Sequence, residues 1–111
     1  MWVGRKGSDD PTVRSVNEMR MRVTSTLDRQ LWKLQRSSVQ TWRSPARFSA
    51  LSAEAINRSD ADIVNLHWVT DGFLSIEEIS KIEKPAVWSM YDMWPFSGTE
   101  HYGTDQPDAR W

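Results

Sequence analysis

Hydrophobic residues follow a helical period in the first half of the chain. From residue 16 to residue 34 they recur at spacings of three and four, at Val16, Met19, Val23, Leu27, Leu31 and Leu34. This spacing predicts one amphipathic helix of about five or six turns, whose apolar stripe either covers one face of a sheet or lies on the surface of a membrane. Ser15 and Glu18 have the spacing of a capping box, so the helix is expected to begin beside Ser15.

Two short apolar runs in the second half flank another helical pattern. Residues 62–68 and 86–91 are dense in β-branched and aromatic residues and are bounded by turn-forming residues, which is typical of strands. Ser75 and Glu78 form a second capping box between them, and Pro85 ends the helix. Its apolar residues recur every three positions, at Ile76, Ile79 and Ile82. Strand, helix and strand make a βαβ unit, which predicts parallel strands in a sheet covered on both faces.

The remaining segments are weaker. Residues 1–3 resemble the end of a strand, and residues 4–11 the loop that follows it. Ser44 and Pro45 supply a cap and a first-turn proline, which predicts a helix that ends near Asn57. Its buried side would carry Phe48, Leu51 and Ala55. Residues 37–43 are expected to form a loop anchored by Trp42.

Composition excludes several classes of protein. A length of 111 residues allows one domain, and the absence of cysteine excludes a disulfide framework and a thiolate metal site. No apolar run approaches the roughly 18 residues of a membrane-spanning helix and no signal-peptide pattern opens the chain, so a cytoplasmic protein is expected. The motifs of the commonest hydrolases, nucleoside triphosphatases and dinucleotide-binding proteins are missing.

The net charge of −1 conceals an asymmetry between the halves of the chain. Residues 1–58 contain 11 Lys/Arg and 5 Asp/Glu, whereas residues 59–111 contain 3 and 10. One interpretation is that the two halves pack together and neutralise each other. The other is that the basic half makes a peripheral contact with anionic lipid headgroups at the inner face of the cytoplasmic membrane. No nucleic-acid partner is expected, because no recognised binding motif accompanies this charge pattern.

Candidate ligand-binding residues follow the two predicted strands of the βαβ unit. Ligands of parallel sheets bind beyond the carboxyl ends of the strands. The first strand ends at His67 and Trp68, which are followed by Asp71 and Gly72. The second strand leads into the aromatic, acidic and imidazole side chains of residues 91–102, a loop that Pro95 and Gly98 make irregular.

The sequence KPAVWSMYDMWPFSGTEHY, residues 84–102, resembles a segment of the first domain of glycosyltransferase family 4 enzymes, in the branch that builds bacterial capsular and other exported polysaccharides. The stretches ADIVNLHW, GFLSIEEI and VGRKGS are also similar to that branch. The resemblance implies a GT-B fold of two facing Rossmann-like domains. It also implies transfer of a sugar, with retention, from a nucleotide-sugar donor to a saccharide acceptor that is expected to be lipid-linked. No cofactor and no metal are expected.

The fold expected from this resemblance is α/β, a partial Rossmann-like parallel sheet with flanking helices. Residues 1–111 would form part of the acceptor-side domain, and the first strand, its glycine-rich turn and the donor-binding second domain are missing from the match. The chain is therefore expected to be inactive alone. The alternative is a non-catalytic interaction module, which completes its sheet with a partner chain or by self-association through open sheet edges.

The resemblance also implies roles for particular residues. Asp92, His101 and Glu100 match the motif and are the candidate catalytic residues, and the candidate substrate-binding residues are Tyr91, Trp94, Tyr102, His67 and Trp68. Tyr91 stands where many members of the family have histidine, and a phenol carries no positive charge near neutral pH. Structural roles remain open beside these: Asp92 as the cap of a turn, His101 bonded to a backbone carbonyl, and His67 in the core. The spacing of the histidines and carboxylates matches no established metal site.

Overall fold

The strands of the protein pair in parallel. The computed structural model describes residues 1–34, 42–97 and 99–102. Its elements, in chain order, are β1 (Trp2–Val3), β2 (Arg14–Ser15), α1 (Glu18–Leu34), α2 (Ala53–Asn57), β3 (Val64–His67), α3 (Ile76–Ser80), β4 (Ala86–Ser89) and α4 (Trp94–Ser97). Over these residues β1 pairs only with β2, and β3 only with β4. The fold is therefore α/β, with two short parallel strand pairs and helices around them.

The predicted βαβ unit is confirmed as β3, α3 and β4. The two strands are parallel, in a register that runs from Val64 opposite Ala86 to His67 opposite Ser89. The cap of α3 is also confirmed, since the N–H of Glu78 donates to Ser75 Oγ at 3.2 Å. All three elements are shorter than predicted, and α3 ends at Ser80, before Pro85.

The reciprocal half of this capping box was predicted wrongly. The N–H of Ser75 donates to Ser49 Oγ at 3.2 Å instead of to Glu78. The Glu78 carboxylate accepts the N–H of Ala53 at 2.6 Å and also receives Lys81 Nζ at 3.1 Å. The backbone hydrogen bond from Ala53, more than the contact with Lys81, lowers the pKa of Glu78. Glu78 therefore ties the first turn of α2 to α3.

The prediction that the sheet is covered on both faces is wrong for the part of the chain that the structure describes. Leu66, on the inner face of β3, is buried, but Asn65 and His67 on the outer face are exposed. Val87 of β4 is exposed beside them. Polar side chains on this outer face bond to each other: Ser89 Oγ donates to Asn65 Oδ1 at 3.1 Å.

Helix α1 begins at Glu18 and is not capped by Ser15. Ser15 belongs to β2, where it lies opposite Val3, so its backbone is extended. Asn17 provides the cap instead, because its Oδ1 accepts the N–H of Arg20 at 3.0 Å. The capping box predicted at Ser15 is therefore replaced by a strand followed by an asparagine cap.

Helix α1 turns a polar face, not its apolar stripe, toward the rest of the protein. The buried residues of the helix are Thr24, Ser25 and Asp28. Thr24 Oγ1 donates to the carbonyl of Gly72 at 2.8 Å, and Ser25 Oγ donates to that of Asp71 at 2.6 Å. Most of the predicted stripe is exposed, at Met19, Val23, Leu27 and Leu34. The prediction that the stripe covers the sheet is therefore wrong.

Gly72 explains how a helix can dock so closely through polar groups. Its φ is +78°, and a Cβ built on it would lie 2.4 Å from the backbone nitrogen of Ser25 and 2.5 Å from the carbonyl carbon of Thr24. No side chain fits between this turn and the backbone of α1. The contact therefore depends on the glycine, and the short hydroxyl side chains of α1 can reach the carbonyl groups of the turn.

The helix predicted from Ser44 to Asn57 is mostly irregular. Only Ala53–Asn57 is helical, and its cap is Ser52, whose side chain accepts the N–H of Ala55 at 3.3 Å. Upstream, Asp28 Oδ1 of α1 accepts the N–H groups of Arg47 and Phe48, at 3.0 and 3.2 Å. Ala46, with φ of +46°, bends the chain toward that carboxylate. A tertiary contact thus replaces the predicted first turns.

A small core joins these elements. Its buried hydrophobic residues are Val16, Ala46, Ala50, Leu51, Ile56, Leu66, Val69, Leu74 and Trp94. Of the predicted buried side of the second helix, Leu51 is buried whereas Phe48 and Ala55 are half-buried. Most of the loop predicted at residues 37–43 lies outside the described residues, as do Gly98 and residues 103–111. Within the ranges described, no helix combines the length and hydrophobicity needed to cross a bilayer.

Candidate functional site

His101 lies at the centre of a buried polar cluster, here called the His101 cluster, of Ser44, Asp92 and His101. The Nδ1 atom of His101 is hydrogen-bonded to Asp92 Oδ2, and its Nε2 atom lies 2.8 Å from Ser44 Oγ. Because a carboxylate only accepts hydrogen bonds, Nδ1–H is the donor to Asp92. In the neutral ring Nε2 then accepts from the Ser44 hydroxyl. The three groups therefore follow the order of a Ser-His-Asp triad.

Three tryptophan rings surround the imidazole of His101. Trp68 stacks on it with ring centroids 5.1 Å apart, Trp94 with centroids 6.4 Å apart, and Trp42 lies tilted at 5.3 Å. Trp94 is buried, and its Nε1–H donates to the carbonyl of Ser44 at 2.7 Å. Trp42 and Trp68 are exposed on their outer sides. The cluster therefore lies beneath a wall of aromatic side chains.

The burial of the His101 cluster separates it from a working hydrolase site. Ser44 and His101 are buried, and the nearby cavity lined by Trp68, Asp92 and His101 has a volume of only about 10 Å³. A space of that size holds one water molecule at most. Among the described residues, Ser44 is 4% exposed, so its Oγ has no open path to a substrate carbonyl. The cluster instead holds the segment around Ser44 against residues 92–101.

Backbone contacts reinforce this connection between distant segments. The N–H of Ser44 donates to the carbonyl of Thr99 at 2.9 Å, and the N–H of His101 donates to that of Trp42 at 3.0 Å. Arg43 also forms an ion pair with Glu100, at 2.6 Å. This ion pair crosses the boundary between the basic and acidic halves of the sequence, as does the Arg29–Asp71 pair at 2.9 Å.

A second histidine lies on the exposed face of β3. His67 Nδ1 is 2.9 Å from the hydroxyl of Tyr91, which follows β4, and the two rings lie 5.6 Å apart. Both side chains are exposed. The parallel register brings them together, since His67 is the last residue of β3 and Tyr91 lies two residues beyond the end of β4. They form a polar, aromatic surface that a ligand can reach, here called the His67–Tyr91 pair.

A large cleft is lined by residues of both β1 and β3. Its volume is about 1070 Å³, and residues 1–4 and 63–71 contribute to its lining. Most of the lining is apolar, but His67, Trp68, Thr70 and Asp71 add polar and aromatic groups. The buried hydroxyl of Thr70 has no hydrogen-bond partner within the described structure. A cleft of this size with a few polar groups in its lining has the dimensions of a ligand site.

The turn after β3 has an unusual backbone conformation. Trp68 and Asp71 have φ values of +40° and +57°, in the left-handed region that non-glycine residues rarely adopt. Such a conformation costs about 1–2 kcal/mol per residue and persists only where surrounding contacts fix it. Here the stacking of Trp68 on His101 and the ion pair of Asp71 with Arg29 provide those contacts. The strained turn places the Trp68 ring between the cleft and the His101 cluster.

The structure divides the predicted site residues into two groups. Asp92, His101 and Trp94 are drawn inward, and Glu100 binds Arg43, whereas Tyr91, Tyr102, His67 and Trp68 are exposed. Asp92 does cap the turn, since its Oδ1 accepts the N–H of Trp94 at 3.1 Å, and it binds His101 as well. The structural alternatives for the two histidines were wrong: the His101 ring binds side chains, not a carbonyl, and His67 is outside the core.

Sequence reasoning missed Ser44, Trp42 and Thr70 as members of the site. The proline after Ser44 indicates a helix cap, and Ser44 lies 57 positions from its partner His101. The sequence of Trp42 and its neighbours predicts only a loop anchor. No sequence signal identified the Thr70 hydroxyl, whose isolation depends on tertiary packing. Among the residues described, no group of three or more histidine, aspartate and glutamate side chains could hold a metal ion.

Comparison with known proteins identifies no family for this chain. No family model, no curated protein and no solved structure matches the chain.

Proposed function

We propose that this chain is the acceptor-side part of a retaining glycosyltransferase of polysaccharide biosynthesis, with a partial Rossmann-like sheet, and that it transfers no sugar by itself. The supporting observation is the surface where β3 and β4 end. The His67–Tyr91 pair offers hydrogen-bonding groups there, and Trp68 offers an exposed aromatic face. A saccharide hydroxyl can bond to such groups while its apolar ring face packs on the indole.

In this proposal the His101 cluster positions residues and does not contact the sugar. Asp92 and His101 hold the ring of Trp68 from behind through the stacked imidazole. Trp42 meets Trp68 edge-on, with centroids 5.8 Å apart, and extends the aromatic wall. The acceptor would lie on the outer side of this wall, next to the His67–Tyr91 pair.

The cleft has few cationic side chains among the residues described, and for this reason we propose that the chain alone transfers no sugar. Stabilising a departing nucleoside diphosphate requires cationic groups or a metal ion near its phosphates. Among the described residues that line the cleft, Arg14 is the one lysine or arginine, and its guanidinium lies over the ring of Trp2 at 5.8 Å. The donor side would come from the second domain that the family resemblance implies.

Saccharide binding and sugar transfer by the purified chain test this proposal together. Oligosaccharides should bind weakly, and saturation-transfer NMR should show the contact. Trp68→Ala should lower the affinity about three- to tenfold through loss of one aromatic contact. Trp32→Ala is the matched control, because Trp32 and Trp68 are 37% and 42% exposed and Trp32 lies on α1. The Trp32→Ala variant should bind oligosaccharides with unchanged affinity.

Two results would contradict the proposal in different ways. If no saccharide binds, or if Trp32→Ala weakens binding as much as Trp68→Ala does, the acceptor surface is placed wrongly. If the purified chain transfers sugar from uridine, guanosine or adenosine diphosphate sugars, the claim that it is inactive alone is wrong.

A specific observation favours a second candidate function, an interaction module that completes its sheet with another strand. The N–H of Val64 donates to the carbonyl of Pro85 at 2.9 Å, so the backbone groups of Val64 face β4. Those of the next residue, Asn65, therefore face the cleft. By the same alternation Trp2 faces the cleft, because Val3 is bonded to β2 through Val16 N–H at 3.1 Å. Both strands thus direct open edges toward the same space.

Sheet completion predicts protection of particular amides. An apolar strand in the cleft would bond to the backbone of Trp2 and Asn65 and slow their hydrogen exchange, whether it comes from a partner or from a second copy. Analytical ultracentrifugation combined with hydrogen exchange tests the second source. A dimer with both amides protected supports the module. A monomer at every concentration, with both amides exchanging rapidly, excludes self-association through these edges.

A further inference from the structure

The outer face of α1 carries a strip of four apolar side chains bordered by basic residues, with the exposed amide side chain of Gln30 among them. Met19, Val23, Leu27 and Leu34 are all exposed. At roughly 100° per residue they fall within an arc of about 80°, on the side of the helix opposite Asp28. Because Asp28 is buried against Arg47 and Phe48, Met19 lies opposite the docked face, and Leu27 is the member of the strip nearest to it.

The charges of α1 are arranged around this strip. Arg22 and Lys33 lie along one border and Arg20 along the other, and all three are exposed. Of the acidic residues of the helix, Asp28 is buried on the docked face and Glu18 is in the first turn. The outward half of the helix therefore combines apolar side chains with a positive border and no carboxylate beyond its first turn.

This combination fits an anionic lipid surface better than water or a neutral partner. Apolar side chains of an interfacial helix insert into the boundary between headgroups and acyl chains. Lysine and arginine extend their aliphatic stems along that boundary and place their charges among the anionic headgroups. Helix α1 has 17 residues and a length of about 25 Å, so it can lie in the plane of the surface.

We propose that the outer face of α1 binds the surface of an anionic phospholipid bilayer, with Met19, Val23, Leu27 and Leu34 inserted and Arg20, Arg22 and Lys33 at the headgroups. The docked face remains in place, because Thr24 and Ser25 keep their hydrogen bonds to the turn at Gly72. Binding needs no unfolding of the domain. This proposal does not rest on the sugar-transfer proposal, since it uses none of the same side chains.

Vesicle sedimentation with the purified chain tests the proposal. The probes are vesicles of phosphatidylcholine alone and of phosphatidylcholine mixed with phosphatidylglycerol. The chain should bind the mixed vesicles and be released by high salt, and it should bind the neutral vesicles at least tenfold less tightly. Equal binding to both, or no binding to the mixed vesicles, would overturn the proposal.

Matched variants separate the strip from the rest of the surface. Val23→Gln combined with Leu27→Gln should reduce binding to mixed vesicles by tenfold or more, because two apolar side chains no longer insert at the boundary between headgroups and acyl chains. Ile76→Gln is the control: Ile76 lies on α3 and is 51% exposed, against 52% for Val23. Thermal unfolding confirms that each variant is folded, since none of these side chains is buried.

The basic border gives a second, independent test. Arg22→Gln and Lys33→Gln should each weaken binding to mixed vesicles about fivefold and leave the weak binding to neutral vesicles unchanged. If the Val23→Gln, Leu27→Gln variant instead abolishes a dimer and leaves vesicle binding intact, the strip is an interface between copies of the chain. The lipid proposal is then wrong.

Discussion

His101 and His67 are each hydrogen-bonded to an oxygen atom, but their surroundings differ completely. His101 is 1% exposed, binds Asp92 and Ser44 through its two ring nitrogens, and is enclosed by tryptophan rings. His67 is exposed and binds the hydroxyl of Tyr91. The difference shows that a histidine at the end of β3 and one that follows α4 can have separate roles. One connects distant segments, and the other is available to a ligand.

Replacement of the buried histidine should have the largest effect on stability. His101→Ala leaves the Asp92 carboxylate and the Ser44 hydroxyl buried without their partner and removes three aromatic contacts. The free energy of unfolding should fall by about 3 kcal/mol. Chemical denaturation followed by tryptophan fluorescence measures the change. A loss below about 1 kcal/mol would mean that the cluster does not hold the loop.

The serine of the cluster should contribute less than the histidine. Ser44→Ala removes one hydrogen bond to His101 Nε2 and should lower the free energy of unfolding by about 1 kcal/mol. Ser89→Ala is the control, because Ser89 Oγ bonds to Asn65 on the exposed outer face. It should change stability by less than about 0.5 kcal/mol. If Ser44→Ala and Ser89→Ala lower the free energy of unfolding equally, the buried hydrogen bond contributes no more to stability than the exposed one.

A carboxylate outside both histidine sites should govern part of the acid stability. The Ala53 N–H lowers the pKa of Glu78, so Glu78 contributes stability that is present above its ordinary pKa of about 4.3. That contribution is lost as the pH falls through the lowered pKa. Glu78→Gln should therefore be less stable than the parent at neutral pH, with a difference that shrinks below about pH 4. Denaturation curves at several pH values test this, and a difference that is constant with pH contradicts it.

The exposed histidine should matter least for stability. His67→Ala and Tyr91→Phe should each change the free energy of unfolding by less than about 0.5 kcal/mol, because water replaces the hydrogen bond at 2.9 Å. Both should weaken saccharide binding if the acceptor surface is placed correctly. Parallel denaturation and saccharide titrations check the two halves of this prediction. If either variant lowered the free energy of unfolding as much as His101→Ala does, the exposed and the buried histidine would contribute equally to stability, against this prediction.

The part of the fold that the sequence predicts well is set by local interactions. The unit of β3, α3 and β4 follows from a serine cap, short β-rich runs and a proline, and its parallel pairing follows from the length of the connection. The segment from Ser44 to Ser52 was predicted wrongly because the carboxylate of Asp28, far away in sequence, takes its N–H groups. A cap and a proline do not reveal such a competitor.

The hydrophobic pattern does not predict which face of α1 docks, again because contacts with residues distant in sequence decide it. The pattern identifies an apolar face correctly, but hydroxyl side chains and Gly72 determine which face docks. The candidate site shows the same limit. Asp92 and His101 lie in one loop and were singled out together, whereas Ser44 joins them only through the tertiary fold.

The close approach of Gly72 to Ser25 also affects how the protein opens. Since no atom separates the turn after β3 from the backbone of α1, and since Thr24 and Ser25 bond to its carbonyl groups, neither segment can move far without the other. We therefore expect helix α1 and the β3–α3 turn to unfold as one cooperative unit, although more than 40 residues separate them along the chain. We therefore expect a displacement of α1 to displace the turn that follows His67 as well.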